Sequence, residues 1–220
     1  MTLTVRDGLG GRVAAIANAL SAGRKVVFGW AINADCPLPH RVVFPQGIRG
    51  VTFAEPEGDC GFTDWNERPF FTWEAAADRP AANAAYARIM AAMVGSARPA
   101  PGGPRLGLCA RFWRNPHADP GGLSAHARRT ARRLNLDRVF IMADRHRAAL
   151  AAGLFGIACD LPRCPELSAD LARTEADTLA FISDWKTLLA CPWIVAPAGV
   201  TTMLYPARAS GCNIIFQDPF

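Results

Sequence analysis

The residue best suited to chemistry is Arg111, which ends an apolar run, Leu106 to Ala110, that follows a Pro/Gly-rich break. Such a run predicts a buried strand that carries one guanidinium at its C-terminal edge. A guanidinium is permanently charged, planar and able to bond two oxygens at once, so it suits a phosphate. Ligands of open α/β sheets lie outside the carboxyl ends of the strands. The alternative is a surface arginine that closes an ordinary strand, but three later segments point to the same edge.

The three later segments place polar side chains at the starts of predicted helices or within them. Asp144 follows an apolar run and is expected to be the N-cap of a helix, with a ligand contact as an additional role. Asp177 either hydrogen-bonds a ribose or base or is an ordinary polar helix residue. Thr201 and Thr202 follow a strand, and their hydroxyls together with a helix N-terminus suit a phosphate. Simple capping of the helix by Thr201 is the alternative.

A glycine-rich segment near the N-terminus is a further candidate. Gly8, Gly10 and Gly11 predict a turn over residues 7–12 between a strand and a helix, where the backbone can approach a ligand closely. A purely structural tight turn is the alternative. A nicotinamide or flavin fingerprint would have a third glycine in place of Val13 and an acidic residue near the end of the next strand, so that interpretation is weaker.

Hydrophobic periodicity and Pro/Gly breaks predict strands that alternate with helices. The predicted strands are 3–5, 25–30, 106–110, 138–142, 193–196 and 213–216. The predicted helices are 13–22, 80–94, 123–134, 145–154, 170–190 and 201–209, and residues 45–73 are expected to be loops with short strands. This alternation requires mainly parallel sheets covered by helices. We expect an α/β protein with two Rossmann-like halves that face a cleft: an N-terminal domain over 1–98, a linker over 99–104 and a C-terminal domain over 105–220.

The composition is that of a globular protein with a mild positive net charge. Of the 220 residues, 50% are hydrophobic and 20% charged, and the net charge is +5. This charge suits an anionic ligand but is too mild and scattered to predict nucleic-acid binding. The densest basic stretch, residues 126–133, is typical of a solvated helix face, with phosphate or membrane contact as the alternative.

The sequence lacks the signals of export, membrane insertion or metal binding. Residues 1–7 have no apolar core of signal-peptide length, and no apolar run reaches the roughly 18 residues of a membrane helix. The seven cysteines are scattered without a CxxC pair, and no histidine lies near Cys159 and Cys164. We therefore expect a cytoplasmic protein with reduced thiols, no transmembrane segment and no metal site.

Taken together, these segments resemble the superfamily of GDP-fucose-dependent fucosyltransferases, which includes the nodulation, core α-1,6- and protein O-fucosyltransferases. The N-terminal part of the resemblance comprises Gly8, Leu9, Gly10, Gly11 and Arg12, and the run Trp30 to Cys36 with Asn33. The C-terminal part comprises, in the family's order, Arg111, Asp144, Asp177 with Ser183, and Thr201 with Thr202. The two parts span most of residues 1–45 and 105–211.

The resemblance implies a GT-B fold, with the nucleotide on the C-terminal half and the acceptor in the cleft. It implies transfer of a sugar, fucose from GDP-fucose, to a glycan or another hydroxyl acceptor, with inversion and without a metal or a cofactor. Arg111 would hold the pyrophosphate as its charge grows, Asp177 would bind the nucleoside, and Thr201 and Thr202 would contact phosphate. The other residues assigned to nucleotide-sugar binding are Gly8, Gly10, Gly11, Arg12, Asn33 and Asp144. Asp7, beside the first loop, is our candidate for the general base, with Asp35 as the second choice.

Four positions differ from the family's pattern. Cys109 stands where members carry histidine, and Phe112 stands in place of a second arginine. Gly11 replaces an asparagine, and Leu9 replaces the acidic residue of the protein O-fucosyltransferases. A second interpretation is therefore a catalytically inactive module that binds a nucleotide or a glycan. A third is a nicotinamide enzyme that uses the first glycine loop.

Overall fold

The structure is a computed structural model of the chain, and it divides into two compact units. Unit 1 comprises Met1–Val94 and Ala172–Thr178, and unit 2 comprises Gly95–Leu171 and Leu179–Phe220. The segment that contains the predicted linker, 99–104, is counted with unit 2. The structure describes residues 2–4, 8–56, 79–100, 102–111, 119–166, 173–197, 202–209 and 211–217.

Unit 1 is built on three parallel strands in the order β1-β2-β3. Its elements are β1 (Thr2–Thr4), α1 (Leu9–Ser21), β2 (Val26–Gly29), α2 (His40–Val43), β3 (Val51–Ala54) and α3 (Arg79–Ala92). Helix α1 is rich in alanine and almost wholly buried, and Gly23, at φ +69°, follows its last turn as predicted. Strand β3 lies in the section predicted to be loops with short strands, whereas the one-turn helix α2 was not predicted.

Unit 2 is built on five parallel strands in the order β6-β5-β4-β7-β8. Its strands are β4 (Leu106–Ala110), β5 (Arg138–Ala143), β6 (Ala158–Asp160), β7 (Trp193–Ala196) and β8 (Asn213–Phe216). Its helices are α4 (Pro120–Arg133), α5 (Arg147–Gly153), the 3-10 turn Thr202–Leu204, α7 (Tyr205–Ala209) and α6 (Glu175–Leu189), whose first residues are counted with unit 1. The predicted α/β class with parallel sheets is confirmed.

The strand order of unit 2 creates a switch point between β4 and β7. Successive strands run outward from β4 to β6, and the chain then returns to place β7 on the other side of β4, where Leu106 faces Trp193 and Leu108 faces Val195. At such a point the loops after the two central strands diverge to opposite faces and leave a crevice at the carboxyl edge. Arg111 and Thr202 follow these two strands.

The sheet of unit 2 is covered by helices that pack closely on the strands. Side chains of β4 and β5, such as Leu108 and Ile141, are fully buried in a core with α4 and α5. On the other face Gly107 allows α6 to approach, because a Cβ at that position would lie 2.8 Å from Leu188 Cδ1. Strand β4 is therefore fixed on both faces, which in turn fixes the position of Arg111 at its end.

The edge strand β6 was not predicted, and a partly buried ion network links it to the neighbouring strands. Asp160, at its end, pairs with Arg105 at 3.0 Å and with Arg138 at 2.7 Å. These arginines lie at the starts of β4 and β5, so one carboxylate ties three strands together.

Of the helices that the structure describes, none has both the length and the apolar character that crossing a bilayer requires.

Candidate functional site

Arg111 lies directly after β4, as predicted, beside the switch point, and it is held by two side chains. Its Nε lies 3.6 Å from Oδ2 of Asp144, and its Nη1 donates to Sδ of Met203 at 2.9 Å. The arginine side chain is 34% exposed, whereas that of Asp144 is 4% exposed. Among the described residues, the hydrogen bond and the ion pair of Arg111 use Nη1 and Nε and leave Nη2 without either. The guanidinium is thus oriented by the protein and still has a donor to offer to an anion.

Met203 connects Arg111 to the segment that follows β7. It lies in the 3-10 turn that starts at Thr202, and its backbone carbonyl accepts a hydrogen bond from Nε1 of Trp185 at 2.8 Å. Trp185 is fully buried on α6. The indole therefore fixes the turn, and the thioether of the same residue contacts the guanidinium. The structure brings Arg111 and the backbone of Thr202 to the same edge of the sheet, and Thr201 lies outside the described residues.

The prediction that Asp144 is a helix N-cap is wrong. Helix α5 begins at Arg147, two residues later than predicted, and its N-cap is His146, whose φ is +61°. The carboxylate of Asp144 is buried beside Arg111 instead. A backbone bond from the Asp144 N–H to Ala110 O, at 3.3 Å, adds to the link between the ends of β4 and β5. Asp144 is therefore placed to orient the guanidinium rather than to cap a helix.

Arg147 is a residue of this edge that the sequence analysis missed. Its Nε donates to Ala143 O at 2.8 Å, and its Nη2 donates to Pro165 O at 3.0 Å. Its own N–H donates to Oε1 of Glu166 at 2.8 Å, so Glu166 supplies the side-chain cap that Asp144 was expected to supply. Arg147 thereby joins the end of β5 to the loop after β6. The Asp-Arg-His-Arg sequence draws attention to its first residue, and nothing in the local pattern indicates the distant acceptors.

Cys109, in the strand that carries Arg111, is a buried thiol whose pKa is strongly raised. It is fully buried, and burial raises the pKa of its thiol to about 12. The Arg111 charge opposes this rise and the Asp144 charge adds to it, but burial dominates. The thiol is therefore neutral at physiological pH and serves as a small apolar side chain.

The glycine-rich segment is mostly helical, which corrects the predicted turn over residues 7–12. Gly8 is the N-cap of α1, without a side-chain cap bond, and the helix begins at Leu9. Gly10 and Gly11 thus lie in the first turn of the helix, although glycine is intrinsically unfavourable there. Arg12 follows them into the interior of unit 1. Tertiary packing has outweighed local propensity at this helix start.

Arg12 and Asn33, both assigned to nucleotide-sugar binding by the resemblance, make internal contacts in unit 1. Arg12 is fully buried, stacks 4.7 Å from the ring centroid of Trp30 and donates to Ala31 O at 2.6 Å. Its Nη2 donates to Oδ1 of Asn33 at 3.1 Å, and this oxygen also accepts from the Cys36 N–H at 2.9 Å. The two residues tie α1 to the chain that follows β2.

Asp177 forms a reciprocal cap with Thr174 at the start of α6. Its Oδ2 accepts from the Thr174 N–H at 2.9 Å, and its own N–H donates to Thr174 Oγ1 at 3.1 Å. Hydrogen bonding of the carboxylate by the Thr174 backbone and side chain lowers the pKa of Asp177 below 3.8. This is the capping-box arrangement, in which two side chains satisfy two backbone donors. Asp177 is counted with unit 1.

The remaining assignments are the two candidates for the general base, Asp7 and Asp35. Asp7 lies outside the described residues, as does Phe112, and Asp35 is exposed in a turn of unit 1. Among the described residues, no group of three or more His, Cys, Asp or Glu side chains is arranged to hold a metal ion.

Comparison with solved structures identifies a similar fold. A crystal structure of NodZ α-1,6-fucosyltransferase soaked with GDP-fucose aligns with 99% of this chain and 94% of its own, with a TM-score of 0.51 and 17% sequence identity. This chain has a fucosyltransferase-like fold. A second structure, of fucosyltransferase NodZ from Bradyrhizobium, aligns with 93% of this chain and 91% of its own, with a TM-score of 0.46 and 15% identity. No protein-family model matches the sequence, and no curated protein matches it.

The fucosyltransferase-like fold agrees with the α/β architecture of parallel sheets described above, which is similar to the GT-B fold. At the carboxyl edge of unit 2, this fold combines one oriented guanidinium, a buried carboxylate behind it and the start of a helical segment. Such an edge is suited to an anionic ligand with several oxygen atoms.

Proposed function

We propose that this chain is a glycosyltransferase that moves a sugar, fucose from GDP-fucose, to a hydroxyl acceptor with inversion and without a metal or a cofactor. The observation that carries the proposal is the contact between Arg111 and Met203 across the switch point of unit 2. It joins the guanidinium to the turn that begins at Thr202, where a diphosphate would find both side-chain and backbone donors. The similar fold of a fucosyltransferase supports the choice of donor.

Arg111 would act on the leaving group. As the bond between the sugar C1 and the β-phosphate oxygen breaks, its electron pair stays on that oxygen, and the acceptor oxygen bonds to C1 from the opposite side. A preoriented guanidinium stabilises the charge that develops on the diphosphate, and it acts most strongly in the transition state. Asp144 and Met203 would hold the guanidinium in this orientation. The proton of the acceptor hydroxyl would pass to Asp7, our candidate for the general base.

The remaining assignments extend this proposal. Gly8, Gly10, Gly11, Arg12 and Asn33 would contribute to the nucleotide-sugar site through the backbone and buried contacts of unit 1. Asp177 would contact the nucleoside, and Thr201 and Thr202 the phosphates. We place the reaction in the cytoplasm, which agrees with the free thiols of the six cysteines that the structure describes.

The test combines titration calorimetry with GDP and GDP-fucose and a donor-turnover assay. Replacing Arg111→Ala should reduce turnover by about 100- to 1,000-fold, the usual cost of removing one preoriented donor of a developing anion. Replacing Arg111→Lys should also be poor, because a point charge does not make the two-oxygen contact. Arg133→Ala, an exposed arginine of the same unit, is the matched control. Near-normal turnover by Arg111→Ala would remove the proposed role.

A second candidate function is a catalytically inactive module that binds a nucleotide or a glycan. It is favoured by Cys109, because a buried thiol with a pKa of about 12 does not offer the readily ionised imidazole that members of the fucosyltransferase superfamily carry at this position. Binding of GDP by the unmodified protein without any donor turnover would support the module and contradict the enzyme. Enhanced fluorescence of a reduced nicotinamide cofactor on addition of the protein would instead support the third interpretation.

A further inference from the structure

The outer face of helix α4 in unit 2 is a ridge of four arginines. Arg128, Arg129, Arg132 and Arg133 lie on its last two turns, opposite Ala127 and Ala131, which are buried in the core. At about 100° per residue the four guanidiniums fall within an arc of about 140°. The helix sequence from Pro120 to Arg133 contains no acidic residue.

The positive charge of this ridge is not neutralised by the residues that the structure describes. In the part of the chain that the structure describes, none of the four arginines forms an ion pair. Nη1 of Arg128 is buried and has no hydrogen-bond partner among the described residues. Guanidiniums on a single helix face repel one another at this spacing, so the ridge is complementary to an anionic surface.

An exposed aromatic ring lies inside the same patch. Phe155, in the turn after α5, is 64% exposed, and the Arg128 guanidinium lies 3.7 Å from its ring centroid. Arg132, one turn further along the helix, reaches the residue after Phe155, since its Nη2 lies 3.9 Å from the position that a Cβ on Gly156 would occupy. We call this surface, made of Arg128, Arg129, Arg132, Arg133 and Phe155, the α4 patch.

We propose that the α4 patch binds the surface of an anionic lipid bilayer. A bilayer offers acidic headgroups to the guanidiniums and, at the boundary between headgroups and acyl chains, a region that accepts apolar side chains such as phenylalanine. The patch is a helix ridge with an adjoining turn, a shape that meets a plane and does not enclose a small ligand. A nucleic-acid duplex would match the charge, but its bases are stacked inside the helix and give no account of an exposed phenylalanine between the arginines.

The number of arginines in the α4 patch determines how strongly it should bind and how the binding should depend on salt. Each basic residue near an anionic surface strengthens binding by about fivefold, so four arginines give an enrichment of several hundredfold. The attraction acts over roughly a Debye length and falls as salt is added. Binding is therefore peripheral and reversible. The inference is independent of the proposed glycosyltransferase activity, because no residue of the α4 patch belongs to the Arg111 site.

Co-sedimentation of the full chain with vesicles tests the proposal. We expect binding at about 0.1 M NaCl to vesicles of phosphatidylcholine containing about one third phosphatidylglycerol, no binding to phosphatidylcholine alone, and release at about 0.5 M NaCl. The double variant Arg129→Glu with Arg133→Glu should weaken binding by at least about 25-fold. Phe155→Ser should weaken it several-fold without changing its salt dependence.

The matched control is Arg41→Glu with Arg49→Glu, which makes the same change in net charge at two exposed arginines of unit 1. Circular dichroism confirms that each variant is folded. Equal loss of binding in this control would overturn the proposal, because the attraction would then belong to the whole protein. Absence of binding to anionic vesicles would overturn it as well. Binding of duplex DNA that is lost in the α4 variant, without vesicle binding, would assign the patch to nucleic acid instead.

Discussion

Replacing Met203→Leu isolates the contact that orients Arg111. Leucine fills a similar volume, and the backbone carbonyl that accepts from Trp185 remains, so the free energy of unfolding should fall by less than about 1.5 kcal/mol. What is lost is the sulfur acceptor, 2.9 Å from Nη1 of Arg111. A hydrogen bond of this kind contributes roughly 1 kcal/mol net, so we expect about a fivefold loss in kcat/KM for GDP-fucose and a similar weakening of GDP binding.

The assay is a double-mutant cycle with Arg111→Ala, read by donor turnover and by calorimetric titration of GDP. Because the thioether acts through the guanidinium, Met203→Leu should have little further effect once Arg111 is alanine. Met142→Leu, a buried methionine of β5 in the same unit, is the control and should leave both readouts unchanged. An equal effect of Met203→Leu in the presence and absence of Arg111, or no effect in either background, would refute the reasoning.

Three further predictions concern the elements that support the site. Gly107→Ala should lower the free energy of unfolding, measured in urea, by about 1–3 kcal/mol, because the new Cβ would lie 2.8 Å from Cδ1 of Leu188 on α6. An unchanged midpoint of urea unfolding would contradict this packing. Trp185→Phe should destabilise the fold by about 1–3 kcal/mol and weaken GDP binding, because it leaves the buried Met203 carbonyl without its donor. An unchanged affinity for GDP would show that the turn at Thr202 does not contribute to GDP binding. The cap with Thr174 lowers the pKa of Asp177, so its stabilisation is complete above pH 3.8 and is lost as the pH falls below that value. In Asp177→Asn the free energy of unfolding should therefore fall less steeply with decreasing pH in the acid range. The same acid dependence in the variant and the unmodified protein would contradict the cap.

The central strand of unit 2 could be predicted from the sequence because the pattern that specifies it lies within the strand and its flanking residues. The apolar run from Leu106 to Ala110 is bounded by breaks and folds as the central strand. A buried strand in a parallel sheet reads as a continuous apolar segment, so both its type and its end were evident. The position of Arg111 at the carboxyl edge followed directly.

The details of the site were not predictable because they depend on distant partners. Asp144 has the residue type of an N-cap, but a guanidinium from another strand competes for its carboxylate. The short strand β6 has few residues to show a pattern, and the two arginines that hold Asp160 lie far away in the sequence. Met203 looks like an ordinary core residue until its sulfur is seen beside Arg111.

At the glycine-rich segment, the local sequence pattern predicts a turn where the structure has a helix. Gly8, Gly10 and Gly11 have the composition of a turn, and local propensity alone favours one. In the structure, Arg12 enters the interior to stack on Trp30 and to bond Asn33, and α1 starts four residues earlier than predicted. Burial and hydrogen bonding of one side chain thus decide where this helix begins.

The most direct test of the account is a crystal structure of the protein with GDP bound. We predict that the diphosphate lies at the switch point between β4 and β7, with an oxygen about 2.8 Å from the Arg111 guanidinium and another on the backbone N–H groups at Thr202. A GDP bound elsewhere, with Arg111 still in contact only with Asp144 and Met203, would contradict it.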